Sequence, residues 1–502
     1  MKLLSIWNKG KTIIIGLGAL GLVWLAACVP TSEPIAIGPT RLAATAVQTT
    51  ATPVIVPTIT NPITTTALLA RWDVDTNRYE IRPVDATTGQ DVPGYTPLPL
   101  AGNPMDTLQS ILSADGRTLA AIETNGQTCE ASGGGSACYA RAVSLRLVDV
   151  TTWQGITTNL SGEGWVRPMV FSADGSRLAL AYHTENSSLI LLFHAASGIQ
   201  LGRHFFPYSF RPTMMAFTDD GSLVLAGAAD GEKRGITPPG LFTVLLLDGE
   251  TLTEQWALAL PDVVSGHWCT AVCDGPHEQQ RTENWQPGVV AAPDGRALYI
   301  VHANEDKLTT VDLHGRTAHT TAIQSPQSWL ERLLALTAGT AVAKTLGDGA
   351  YKQATLSPDS RRLYVMGERW YVAADAQGQP VQQQELLGVQ VIDVTNGRLL
   401  QTKESPASRL RLTPDGAYLL LDGWEDNGRW FEVWDARTLV LVTRLEQLEI
   451  TTVPLLNSAG GYALLAGNAV GHQIYLRLMV APYFKCAPVW TADGPIVWIA
   501  GQ

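Results

Sequence analysis

The densest group of reactive side chains runs His267-Trp268-Cys269-Thr270-Ala271-Val272-Cys273-Asp274-Gly275-Pro276-His277. Two thiols and two imidazoles so close together are the donor types of a zinc or copper site. In an exported chain the same cysteines form a short disulfide, and that reading is favoured over metal, with His267 and His277 at the surface. Cys129 and Cys138 flank EASGGGSA, a flexible loop that a second disulfide would staple. Cys486 is then odd, either a buried thiol or a competitor for one of these pairings.

Catalytic motifs fail on inspection. Gly16-Leu17-Gly18-Ala19-Leu20-Gly21 fits a dinucleotide fingerprint by letter, but no strand precedes it. His277-Glu278-Gln279-Gln280 begins like a zinc-protease helix, yet Arg281 stands where the second His is needed. Asp73-Val74-Asp75-Thr76-Asn77 begins like a calcium loop, but Arg78 replaces the Gly and Val84 the final Glu. No nucleophile elbow and no phosphate-binding loop occur. Trp424, Trp430, Phe431 and Trp434 cluster, as do Trp268 and Trp285, among 15 Trp in all. Exposed aromatics would suit a sugar or protein ligand; the favoured reading is core filling.

The segments around these residues give them a setting. Lys2, Lys9 and Lys11 precede an uncharged run over 12–27, which ends Leu25-Ala26-Ala27-Cys28. This resembles the bacterial lipoprotein lipobox. The resemblance implies that residues 1–27 are a cleaved signal peptide and that Cys28 carries an acyl lipid, the one covalent cofactor expected. The chain would then be exported and held on the extracytoplasmic side of a bacterial membrane. At 16 residues the apolar run is short for a membrane span of about 20.

Residues 29–66 hold eleven Thr and six Pro, with only Glu33 and Arg41 charged. Together with Cys28 they read as an extended stalk, able to reach ~120 Å from the bilayer. The chain of 502 residues has net charge −11. Its first 27 residues hold three Lys and no acid, so the remainder carries 32 basic against 46 acidic residues, net −14. That balance disfavours nucleic acid as a partner.

One repeat organises residues 67–502. An apolar strand, a tight turn and a second apolar strand recur at Asp115-Gly116, Asp174-Gly175, Asp220-Gly221, Asp294-Gly295, Asp359-Ser360 and Asp415-Gly416, and more weakly at Gly460-Gly461. Such hairpins need the left-handed backbone that Gly adopts without strain. A second motif follows each hairpin: an apolar strand ending in Asp, at Asp149, Asp248, Asp312, Asp393 and Asp435, with Asp85 before the first hairpin and His194 as a variant. Those Asp carboxylates are expected to accept backbone N–H bonds that close the next turn.

A hairpin plus two strands makes a four-stranded unit that resembles a β-propeller blade. The chain is similar to the broad bacterial group of WD40/YVTN-type, lactonase-like propellers, although only Trp434-Asp435 matches the WD dipeptide. The expected fold is therefore all-β: one propeller of eight blades, with seven as the alternative. The segment 495–501 is expected to complete the first blade by pairing with the N-terminal strand. A short inserted helix is expected over 328–346, from leucines near helical spacing behind Ser328 and Glu331.

The expected function is a membrane-anchored binding or scaffold module for a protein, glycan or envelope component. The alternative is a propeller enzyme, lactonase-like or quinoprotein-like, with a metal or cofactor in its central channel.

Overall fold

The computed structural model describes residues 66–500 apart from 74–77, 86–90, 101–109, 133–134, 185–186, 232–236, 274–279, 325–345, 375–377 and stretches of one to five residues after 413. The signal segment, Cys28, nearly all of the stalk, His277 and all but the last residue of the expected helix lie outside the described residues. That last residue, Leu346, opens the strand Leu346–Leu356 instead. Thr66, read as the end of the stalk, opens the strand Thr66–Asp73.

The described elements are all strands, mostly in antiparallel four-stranded units; the hairpin Gly266–Ala271 with Arg281–Gln286 extends one sheet to six strands, and Arg281–Gln286 runs parallel to Leu346–Leu356 there. One unit is Phe210–Phe217, Leu223–Ala229, Phe242–Leu247 and Glu254–Leu260, paired in that order. Burial explains the order. Leu223–Ala229 is buried along almost its whole length, whereas Glu254–Leu260 alternates exposed and half-buried positions as the outer strand. The long strand Gln154–Phe171 serves two units. Its first half pairs with Gly135–Asp149 and its second half with Arg177–His183.

The chain's two ends share a sheet. Ile496–Ala500 pairs antiparallel with Thr66–Asp73, bringing Leu68 opposite Ala500. Innermost strands of successive units lie side by side, from Ile496–Ala500 through Ser110–Leu112, Gln154–Phe171, Phe210–Phe217 and Gly288–Ala291 to Leu346–Leu356 and Arg409–Leu412. This is a β-propeller. Its core lies between sheets rather than within one. Ala179, Ile190 and Leu192 of one unit pack on Leu223, Leu225 and Leu245 of the next. Val224, Val244 and Leu246 then pack on Leu298, Ile300 and Val311. Both faces of a middle strand are covered, so those strands read as apolar runs without alternation.

The repeated turns have a common chemistry. In Asp115-Gly116, Asp174-Gly175, Asp220-Gly221 and Asp415-Gly416 only the Gly has positive φ, near +70° to +82°. Gly295 does the same beside Asp294, while Ser360 takes φ 56° next to Asp359. The Asp acts through its side chain. Ser172 Oγ donates to Asp174 at 2.5 Å and accepts the Arg177 N–H at 2.9 Å. The same hydroxyl stands two residues before Asp115, Asp220, Asp359 and Asp415. The strand-end Asp motif is closed by two N–H groups: Asp248 accepts those of Glu250 and Thr251, and Asp435 those of Arg437 and Thr438.

Cys129 and Cys138 stand directly opposite each other in a long β-hairpin, Thr118–Ser132 with Gly135–Asp149. The expected flexible loop is thus mostly paired strand. Interstrand hydrogen bonding carries on through the Ser and Ala positions that flank its glycines. Cys486 lies in the two-residue strand Lys485–Cys486, opposite Met479.

Candidate ligand-binding cleft

A polar residue followed by Pro stands near the start of three successive inner segments: Arg167-Pro168 within Gln154–Phe171, Arg211-Pro212 within Phe210–Phe217, and Gln286-Pro287 just ahead of Gly288–Ala291. Pro offers no N–H, so it suits an edge where the ladder has no partner on that side. These three strand starts converge on one cleft of about 360 Å³, walled also by Trp165, His183, Asp230, His267, Asn284 and Trp285. The Asp-Gly turns lie at the far ends of the same strands, so the motifs that specify the fold stand apart from the cleft.

A buried relay fixes two of the strand starts. Phe210 N–H donates to Ser188 Oγ at 2.9 Å. Ser188 Oγ is 2.9 Å from His183 Nδ1, and His183 Nε2 is 2.8 Å from the Arg167 carbonyl oxygen. A carbonyl only accepts, so the neutral ring carries its hydrogen on Nε2, and Nδ1 accepts the Ser188 hydroxyl. The relay ties Arg167 of one unit to Phe210, the neighbour of Arg211, in the next. Trp165 stacks on the His183 ring at 5.6 Å between centroids and is itself buried.

The polar wall divides into held and unheld groups. Arg211 Nε donates to Asp230 at 2.9 Å, a pair that is half-buried. Trp285 Nε1 donates to Glu283 at 2.9 Å, which fixes the half-buried indole. Arg167, His267, Asn284 and Gln286 are exposed, and among the described residues their side chains have no hydrogen-bond or ionic partner. Asn284 and Gln286 are two apart on one strand and so share a face. His267 stands at the rim; burial by the wall behind it, and secondarily the Arg211 charge, push its ionisation below the usual imidazole range.

Of the residues singled out from sequence, Cys269 and Cys273 form a disulfide behind this rim, with Cα atoms 5.7 Å apart. Sulfurs joined to each other supply no thiolate, and that removes the donors on which a metal site with His267 and His277 depended. Among the described residues no group of three His, Cys, Asp or Glu gathers as a metal site. Trp268, Trp430, Phe431 and Trp434 are core residues, each under a tenth exposed, whereas Trp285 lines the cleft. The fold motifs pointed away from Arg167, Arg211, Asn284 and Gln286. The recurring polar-Pro pair ahead of three successive Asp turns marks Arg167, Arg211 and Gln286 but not Asn284.

No protein-family model and no curated protein matches the chain by sequence. Solved structures do match. Dihydro-heme d1 dehydrogenase NirN, solved in complex with DHE, aligns with a TM-score of 0.51 at 13% identity, over 87% of this chain and 74% of that one. The Cps50 (Swd1) β-propeller domain of Myceliophteria thermophila aligns at 0.40 and 13% identity, over 72% of this chain and 92% of that one. At such identity the first likeness speaks for the propeller fold alone.

Proposed function

We propose that this protein is a lipid-anchored, extracytoplasmic binding module: an eight-bladed propeller on a Thr/Pro stalk that presents its cleft to a ligand. The observation that carries the binding role is the set of unpaired side chains in one concavity. Arg167, His267, Asn284 and Gln286 have no partner among the described residues, and the strand starts bearing Arg167 and Arg211 are fixed by buried hydrogen bonds. Polar groups that converge on a concave wall and find no internal partner are the mark of a recognition surface. A rigid scaffold beneath them lowers the ordering cost of binding.

Anchoring rests on the lipobox-like Leu25-Ala26-Ala27-Cys28. Several acyl chains on one cysteine hold a protein stably, whereas one chain does so marginally. A body of net charge −14 gains nothing from anionic lipid, so the anchor supplies the attachment. Fractionation of cells expressing the chain and its Cys28→Ala variant tests this part. The variant is expected in the soluble fraction; its retention in membranes would overturn the anchor. Binding is tested on a glycan array with the full chain and an Arg167→Gln/Asn284→Ala double variant. Signals lost in the variant support the cleft, and identical signals from both contradict it.

A further inference from the structure

The charge balance of the cleft narrows its ligand. Arg211 is neutralised by Asp230 at 2.9 Å. Arg167 has no acidic partner among the described residues, and His267 is held toward its neutral form. Among the described residues, the cleft wall therefore presents one uncompensated positive charge, Arg167, in a chain of net charge −11. A single guanidinium fork matches a monoanionic carboxylate in charge and in planar geometry. A dianionic phosphomonoester would leave one negative charge unmatched within an acidic protein.

The rest of the wall is amphipathic. The Trp285 ring is fixed by Glu283, and the amides of Asn284 and Gln286 stand on the same short strand. A cleft lined by an indole as well as by amide donors and acceptors suits a pyranose, which has C–H faces and a hydroxyl edge. A cleft of about 360 Å³ accepts one or two sugar rings and not a folded domain.

We propose, resting on the binding reading above, that the cleft recognises a carboxylated sugar of the uronic-acid class, with Arg167 on the carboxylate, Trp285 against the ring, and Asn284 and Gln286 on the hydroxyls. His183 is a positioning residue, since it holds the Arg167 backbone and both its ring nitrogens are engaged inside the relay.

The test is calorimetric titration of the full-length chain in mild detergent with trigalacturonate, its fully methyl-esterified neutral form, and glucose 1-phosphate. Trigalacturonate is expected to bind. Esterification and Arg167→Gln are each expected to weaken it about tenfold or more, the size of one charge-assisted hydrogen bond. Arg167→Lys, which keeps charge but not the fork, is expected to lie between. Trp285→Ala is expected to weaken acid and ester alike. Equal affinity for acid and ester would overturn the carboxylate assignment while leaving the binding cleft standing. Binding of glucose 1-phosphate in preference to trigalacturonate would overturn it in favour of phosphate. Absence of trigalacturonate binding overturns the inference, and the array comparison above then decides the binding reading separately.

Discussion

His183 Nε2 meets the backbone carbonyl of Arg167 at 2.8 Å, while His183 Nδ1 meets Ser188 Oγ at 2.9 Å. One imidazole thus joins the side chain of Ser188 to the backbone that carries Arg167. Both His183 and Ser188 are buried, at 2% and 0% exposure, so water cannot replace a lost partner.

Ser188→Ala therefore strands two buried groups, the Phe210 N–H and His183 Nδ1. The expected cost is about 1–3 kcal/mol, read as a lower urea midpoint. Ligand affinity should fall as well, although Ser188 does not line the cleft. An unchanged midpoint would show that the relay does not hold the strand starts.

The repeated turns give an acid-side signature. Hydrogen bonds from Ser172 and Ser176 hold the Asp174 carboxyl at about 2, against an ordinary 3.8. Above 3.8 both folded and unfolded chains carry the charge and the stabilisation is complete. As pH falls, the unfolded chain takes its proton first, and the contribution is lost as pH drops through about 2. Ser172→Ala should raise the Asp174 pKa, followed by carboxyl NMR, and should flatten the fall in stability across that window. An unshifted carboxyl resonance would contradict this role of the hydroxyl.

Lys352 gives an alkaline-side signature. It is 3% exposed, donates to the Glu305 carbonyl, and has Asp306 at 4.0 Å. Burial lowers its pKa from 10.5 to about 8. Between those values the unfolded chain holds a proton that the folded chain has released, so stability rises with pH from about 8 to 10.5. Lys352→Met should remove that rise and leave the chain at least as stable at pH 7, as denaturant titrations at several pH values would record. A persistent alkaline rise in the variant would place its origin elsewhere.

Much of this architecture was legible because the repeat is built from local chemistry. Asp174-Gly175 and Asp248 specify their turns within a few residues, and a reader of the sequence meets the partners side by side. The hydroxyl two residues before five of the six Asp turns is equally local, at Ser113, Ser172, Thr218, Ser357 and Thr413, whereas Ala292 holds that place before Asp294. The cleft was not legible in that way. Arg167, Arg211 and Gln286 come from three sheets, and only packing of sheets brings them together. Their shared polar-Pro setting was visible, but its meaning depends on inner strands having a free edge. The His267–His277 segment drew attention because its donors are adjacent in sequence, yet the structure spends its cysteines on each other.

The most direct test is hydrogen–deuterium exchange on the full chain with and without the tightest-binding glycan of the array. Protection is predicted in three separate peptides, covering residues 165–168, 211–213 and 284–286, with little change at the Asp-Gly turns. Protection confined to other surfaces would contradict the assignment of this cleft as the ligand site.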